Sequence, residues 1–93
     1  MTFEAIYQVF DARNSEDYRD QVHFKISGSS PREVLKSATS HEDKGIGKKR
    51  GFVPGRWLRE IRFKNEPIWK RQAKWKKGDW LKNSRAYREA FPG

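Results

Sequence analysis

The chain has 93 residues, 34% of them hydrophobic, with 21 Lys and Arg against 12 Asp and Glu and a net charge of +9. That length holds one domain with one modest core, and an apolar content below the roughly 45–50% of ordinary domains makes the core depend on large aromatic side chains. The absence of cysteine excludes disulfides and Cys-based zinc or redox centres, and two histidines, His23 and His41, are too few for a His-dominated metal site.

From the N-terminus, residues 3–10 alternate as a strand, with Phe3, Ala5, Tyr7 and Val9 on one face and Ile6 and Phe10 on the other, so the strand is expected to be central. The same segment lacks the basic leader and long apolar run of a signal peptide, and no stretch approaches the ~18 apolar residues of a membrane span, so cytoplasm is the expected compartment. An acidic connection, residues 11–20, leads to a second strand over residues 21–27 with Val22, Phe24 and Ile26 inward. Gly28-Ser29 breaks it. Ser30-Pro31-Arg32-Glu33 then supplies an N-cap serine, a proline at the first helical position and a glutamate three residues after the cap, which predicts a helix over residues 31–40 packed on the sheet through Val34, Leu35 and Ala38.

Residues 41–55 hold four glycines, a proline and the cluster Lys48-Lys49-Arg50, and are expected to form a mobile basic loop. Beyond them the alternation returns. Trp57, Ile61 and Phe63 fall on one side and Arg56, Glu60, Arg62 and Lys64 on the other; after a break at residues 64–67, Trp69, Ala73 and Trp75 oppose Lys70, Gln72, Lys74 and Lys76. This predicts a hairpin with an aromatic inner face and a cationic outer one. After Gly78-Asp79, either Asp79 or Ser84 is placed to cap a short C-terminal helix, with Trp80, Tyr87 and Phe91 near one face. The expected fold is α+β: one domain over residues 1–93, an antiparallel sheet of about four strands in the order β-β-α-β-β, one helix packed on it and a short helix at the end.

The charge is unevenly placed. Residues 1–43 carry five basic and eight acidic side chains, residues 44–93 sixteen basic and four acidic. A chain so polarised is expected to meet nucleic acid or a ribonucleoprotein, and no helical apolar stripe beside the cations favours a membrane. Between residues 56 and 82 there are ten cations and three acids, a balance one-sided for a merely solvated face. The expected binding residues are Arg56, Arg59, Arg62, Lys64, Lys70, Arg71, Lys74, Lys76 and Lys77, with Lys48, Lys49 and Arg50 from the loop. Most tryptophans are expected in the core, and Trp80 is the one expected to be free to stack on a base.

Catalysis finds little support. Residues 45–51 are rich in glycine and cations but lack the strand before and helix after that define a P-loop. His23, set beside Glu4 or Glu60, is the one candidate general base, and an outward histidine on a strand is more often a surface residue. No catalytic residue, metal, cofactor or small-molecule substrate is expected; a small metal-independent ribonuclease toxin is the enzymatic alternative.

The order strand, Asn14-Ser15-Glu16, strand, serine-led helix over residues 3–38 resembles the opening of small phage-encoded anti-CRISPR proteins that inhibit type I-F surveillance complexes. The resemblance implies an antiparallel sheet with a helix laid across it, and an inhibitor that binds Cas subunits along the crRNA backbone in the host cytoplasm and blocks target DNA. It stops near Lys44, before the basic loop, the tryptophan-rich hairpin and the last helix. A general nucleic-acid-binding regulator is the second expectation.

Overall fold

The computed structural model describes residues 1–10, 21–42, 46–48, 51–53, 55–72 and 76–93. Its elements are β1 (Thr2–Phe10), β2 (Gln21–Ser27), α1 (Pro31–Thr39), β3 (Ile46–Lys48), β4 (Gly51–Val53), β5 (Gly55–Phe63), β6 (Glu66–Lys70), β7 (Asp79–Trp80) and α2 (Arg85–Ala90). The main sheet has five strands in the order β2-β1-β5-β6-β7, all neighbours antiparallel. This is the α+β class read from the sequence, with β1 as a central strand. A fifth strand is added because Trp80 and Asp79 pair with Trp69 and Lys70. Within the segment expected as loop, β3 and β4 form a separate two-stranded sheet.

Both helices cover the same face. Phe3, Ala5 and Tyr7 of β1, Ile26 of β2, and Leu58, Ile61, Phe63, Ile68 and Trp69 of β5 and β6 form one buried cluster with Val34 and Ala38 of α1 and Ala86 and Ala90 of α2. The Tyr7 hydroxyl donates to Ala38 O at 2.6 Å, tying the sheet to the last turn of α1. Ser30 caps α1 by accepting from Glu33 N at 3.2 Å. The Glu33 carboxylate reaches Ser29 rather than Ser30, accepting from Ser29 N at 2.9 Å and Ser29 Oγ at 2.7 Å, which holds its pKa below the ordinary value. Ser84, not Asp79, caps α2, accepting from Tyr87 N at 3.1 Å. Trp80 belongs to β7 and not to that helix, yet its ring lies 5.6 Å from Tyr87 and 5.7 Å from Phe91.

Two irregularities overturn the simple alternation of the second half. Against β1, Ile6 pairs with Glu60 and Tyr7 with Leu58, so Arg59 is an extra residue in β5. The faces on either side of it are exchanged. Trp57, opposite Gln8, therefore lies on the face away from the helices, whereas Ile61, opposite Ala5, and Phe63 lie in the core; the expectation that all three share a face is corrected. The same shift moves Arg56 to the helix side and leaves Glu60 and Arg62 on the other. Against β5, Ile61 pairs with Trp69 and Arg62 with Pro67, so Ile68 is extra in β6, and Ile68 and Trp69 both enter the core.

The strand expected up to Lys76 ends at Lys70, and β6 begins instead at Glu66, using Pro67. Proline is tolerated there because β7 reaches only Trp69 and Lys70, so among the described residues no outer strand seeks a donor from position 67. The face shared by Lys70, Lys74 and Lys76 is thus not formed by one strand, and Ala73, Lys74 and Trp75 lie outside the described residues. The β5–β6 turn is two residues, Lys64 and Asn65, both at positive φ (51° and 66°), the conformation of a type I′ hairpin.

Candidate polyanion-binding surface

The sheet face turned away from the helices is built from residues of four strands: His23 and Lys25 of β2, Glu4, Ile6 and Gln8 of β1, Trp57, the bulge residue Arg59, Glu60 and Arg62 of β5, and Lys70 of β6. It carries both signs and is not a continuous field of cations. Glu60, whose side chain is 15% exposed, pairs with Arg62 and lies 4.0 Å from Lys70 Nζ, so one carboxylate draws in two of the expected binding residues. His23 Nδ1 is 3.3 Å from Glu4 Oε1 in a pair about half exposed on both sides. That geometry places His23 beside Glu4 rather than Glu60. At such exposure the contact contributes ~0–1 kcal/mol. Arg59 is exposed and donates from Nη1 to Gln8 Oε1 at 3.0 Å, beside a strip where Ile6, Gln8 and Trp57 are buried.

The other expected residues divide into three groups. Arg56 and Arg71 belong to the helix side: Arg56 Nε donates to His41 O at 2.6 Å, and Arg71 Nη1 is 3.6 Å from Glu42 Oε2. Lys64, in the hairpin turn, reaches Glu89 of α2 at 3.5 Å. Lys76 and Lys77 lead into β7 and are exposed, as is Lys82 just after it, and none of the three makes an ion pair with a described residue. Trp80 is half-buried between them, packed on Tyr87 and Phe91 instead of standing free. Arg88 donates to Asn83 O at 3.0 Å on the same side. Lys49, Arg50 and Lys74 lie outside the described residues, and for Lys48 only the backbone of β3 is described.

Lys76, Lys77 and Lys82 are thus exposed cations next to β7 in sequence, where Asp79 pairs across to Lys70 of β6; Lys25 of β2 and Arg32 and Lys36 of α1 are also exposed without an ion pair to a described residue. A concavity of about 640 Å³ between Met1, residues 28–31, Tyr87 and Phe91 has no charged side chain in its lining. Among the described residues no three His, Cys, Asp or Glu side chains converge as a metal site, and no helix is long and apolar enough to cross a membrane. The grouping of Tyr7, His41, Glu42, Arg56 and Arg71 was not legible in the sequence, because its members are separated by up to 64 positions and share no periodicity. Comparison of the chain with family models, curated proteins and solved structures returns no match.

Proposed function

We propose that this chain is a non-enzymatic inhibitor of the anti-CRISPR type, which docks its β7 edge on a crRNA-guided Cas surveillance complex in the host cytoplasm and excludes target DNA. The observation that carries the reading is the excess of sixteen cations over four acids in residues 44–93, of which Lys76, Lys77 and Lys82 stand exposed on one sheet edge. A short antiparallel sheet with a helix across it supports the resemblance in its N-terminal half. Cations on a rigid edge suit an anionic groove or an RNA backbone, because phosphate contacts position a protein without requiring base recognition.

The test is a pull-down of type I-F surveillance complex with the tagged chain, read for Cas protein and crRNA together, beside a gel shift on naked duplex and an incubation with total RNA. Capture of the complex, with little shift and no degradation, is the expected result. A strong shift of naked duplex without capture replaces the reading with a general nucleic-acid-binding regulator. Degradation of total RNA replaces it with a ribonuclease.

A further inference from the structure

The main sheet ends in two unlike edges. On one side β7 holds only Asp79 and Trp80, and the strand inside it carries Pro67 beyond the reach of β7, so little backbone is offered there. On the other side β2 runs seven residues and pairs with β1 along its whole length, from Thr2 with Ser27 to Gln8 with Gln21, without a bulge, a glycine or a proline. Alternate residues of such a strand turn both N–H and C=O away from β1, and among the described residues no strand receives them. The exposure agrees. Gln21, His23, Lys25 and Ser27 are exposed, and Val22 and Phe24 on the helix side are only half-buried, although Ile26 next to them is 4% exposed. α1 packs on β2, and beside Ile26 its Ser37 joins Thr2, Lys25 and Ser27 around a concavity of about 300 Å³.

A long edge strand with outward peptide groups can take up a further strand, whose main chain supplies the hydrogen bonds and whose alternating side chains supply the selection. On the helix side the added strand covers Val22 and Phe24, so apolar residues suit it there. On the far side it meets His23, already 3.3 Å from Glu4, and Lys25, which lies across β1 from Glu4 but makes no ion pair with a described residue, so an acid suits it next to Lys25. A second copy of this chain fits poorly. Laid antiparallel on its own image about Phe24, β2 sets Lys25 of each copy against His23 of the other, between two chains of net charge +9. We propose that the outer edge of β2 binds an extended protein segment alternating apolar and acidic residues, which joins the main sheet beyond β2. This edge is at the opposite end of the sheet from β7, and the proposal stands independently of the docking of β7 on a surveillance complex.

Amide NMR of the whole labelled chain, titrated at low salt with a capped heptapeptide of alternating valine and glutamate, tests it. Saturable shifts confined to β2 and the neighbouring side of α1, with slowed hydrogen exchange of β2 amides, are expected. The same peptide N-methylated at its central residues has lost the donors of the ladder and is expected to bind about tenfold more weakly, and a valine–lysine peptide is expected to leave β2 unshifted. Lys25→Gln, at an exposed position, is expected to weaken the glutamate peptide about threefold with the thermal midpoint nearly unchanged. Because the peptide variants leave the protein untouched, they carry the comparison should that substitution unfold it. Shifts centred on Lys76, Lys77 and Lys82, equal binding of the N-methylated peptide, or no saturable change at β2 overturns the proposal. So does a free chain that sediments as a dimer with concentration-dependent shifts at β2, which would give the edge to a second copy.

Discussion

Gly78 lies against the indole of Trp69 so closely that a Cβ at this position would fall 1.9 Å from Trp69 Cζ2. Trp69 is 2% exposed and central to the core, so it has no free space into which to retreat. Gly78→Ala is therefore expected to displace the indole or the chain entering β7, at a cost of roughly 1–3 kcal/mol. Urea denaturation followed by tryptophan emission measures both the loss and the shifted environment. An unchanged midpoint would mean that Trp69 is seated elsewhere.

Tyr7 makes stability depend on alkaline pH. Burial pushes its pKa up to about 12 from the ordinary 10.0, with the nearby Glu42 carboxylate adding to the rise and Arg56 opposing it. The folded chain thus holds this proton more tightly than the unfolded one. Its contribution is complete below pH 10 and is lost as pH rises toward 12. Tyr7→Phe is expected to cost about 1 kcal/mol at neutral pH, through the lost bond to Ala38 O, and to show a flatter decline than wild type across that alkaline window. Parallel curves for the two proteins, measured by denaturation at each pH, would place the phenol in water.

At the start of α1, Ser30 Oγ satisfies the Glu33 N–H, one of the donors a helix leaves open. Ser30→Ala is expected to lower stability by roughly 0.5–2 kcal/mol, and Ser30→Asp to retain most of it. Far-UV dichroism during urea titration reports the midpoint. Equal losses for both variants would indicate that the hydroxyl does not cap.

How legible these features are depends on whether a local rule survives tertiary contact. β1, β2 and α1 follow from their own sequences because strict alternation and a serine-proline cap leave one solution. β5 does not, since the extra Arg59 inverts the faces and nothing in the sequence marks a bulge. β6 is displaced for a related reason: Pro67 reads as a break but sits where β7 no longer reaches. Of the candidate site, composition reveals the cations but not their partners, so Glu60, a single acid in a basic run, conceals that Arg62 and Lys70 are already engaged.

The β5–β6 turn offers a gain in stability. Lys64 and Asn65 both adopt positive φ, where a lysine is strained and glycine is not. Replacing the pair by Asn-Gly is expected to raise stability by roughly 0.5–1.5 kcal/mol, less whatever the exposed contact of Lys64 with Glu89 contributes. A lower melting temperature in the variant would show that this contact outweighs the backbone strain.

The β7 edge is where charge reversal separates binding from folding. Lys76 and Lys77 are exposed and pair with no described carboxylate, so converting both to glutamate removes no contact and should change stability by less than about 1 kcal/mol. Lys70 is less informative, because at 4.0 Å from Glu60 its reversal sets two acids side by side. If the edge meets a polyanion, the Lys76→Glu/Lys77→Glu chain should melt normally yet fail to capture the surveillance complex. Each single alanine should weaken capture more at low than at moderate salt, since screening shrinks the attraction that the lost charge contributed. Reversal of Glu16 and Asp17, in the acidic half of the sequence, is the control and should matter less. Capture that tolerates the lysine pair and requires the acidic pair would assign the partner a basic surface and make the cationic edge a solubilising one.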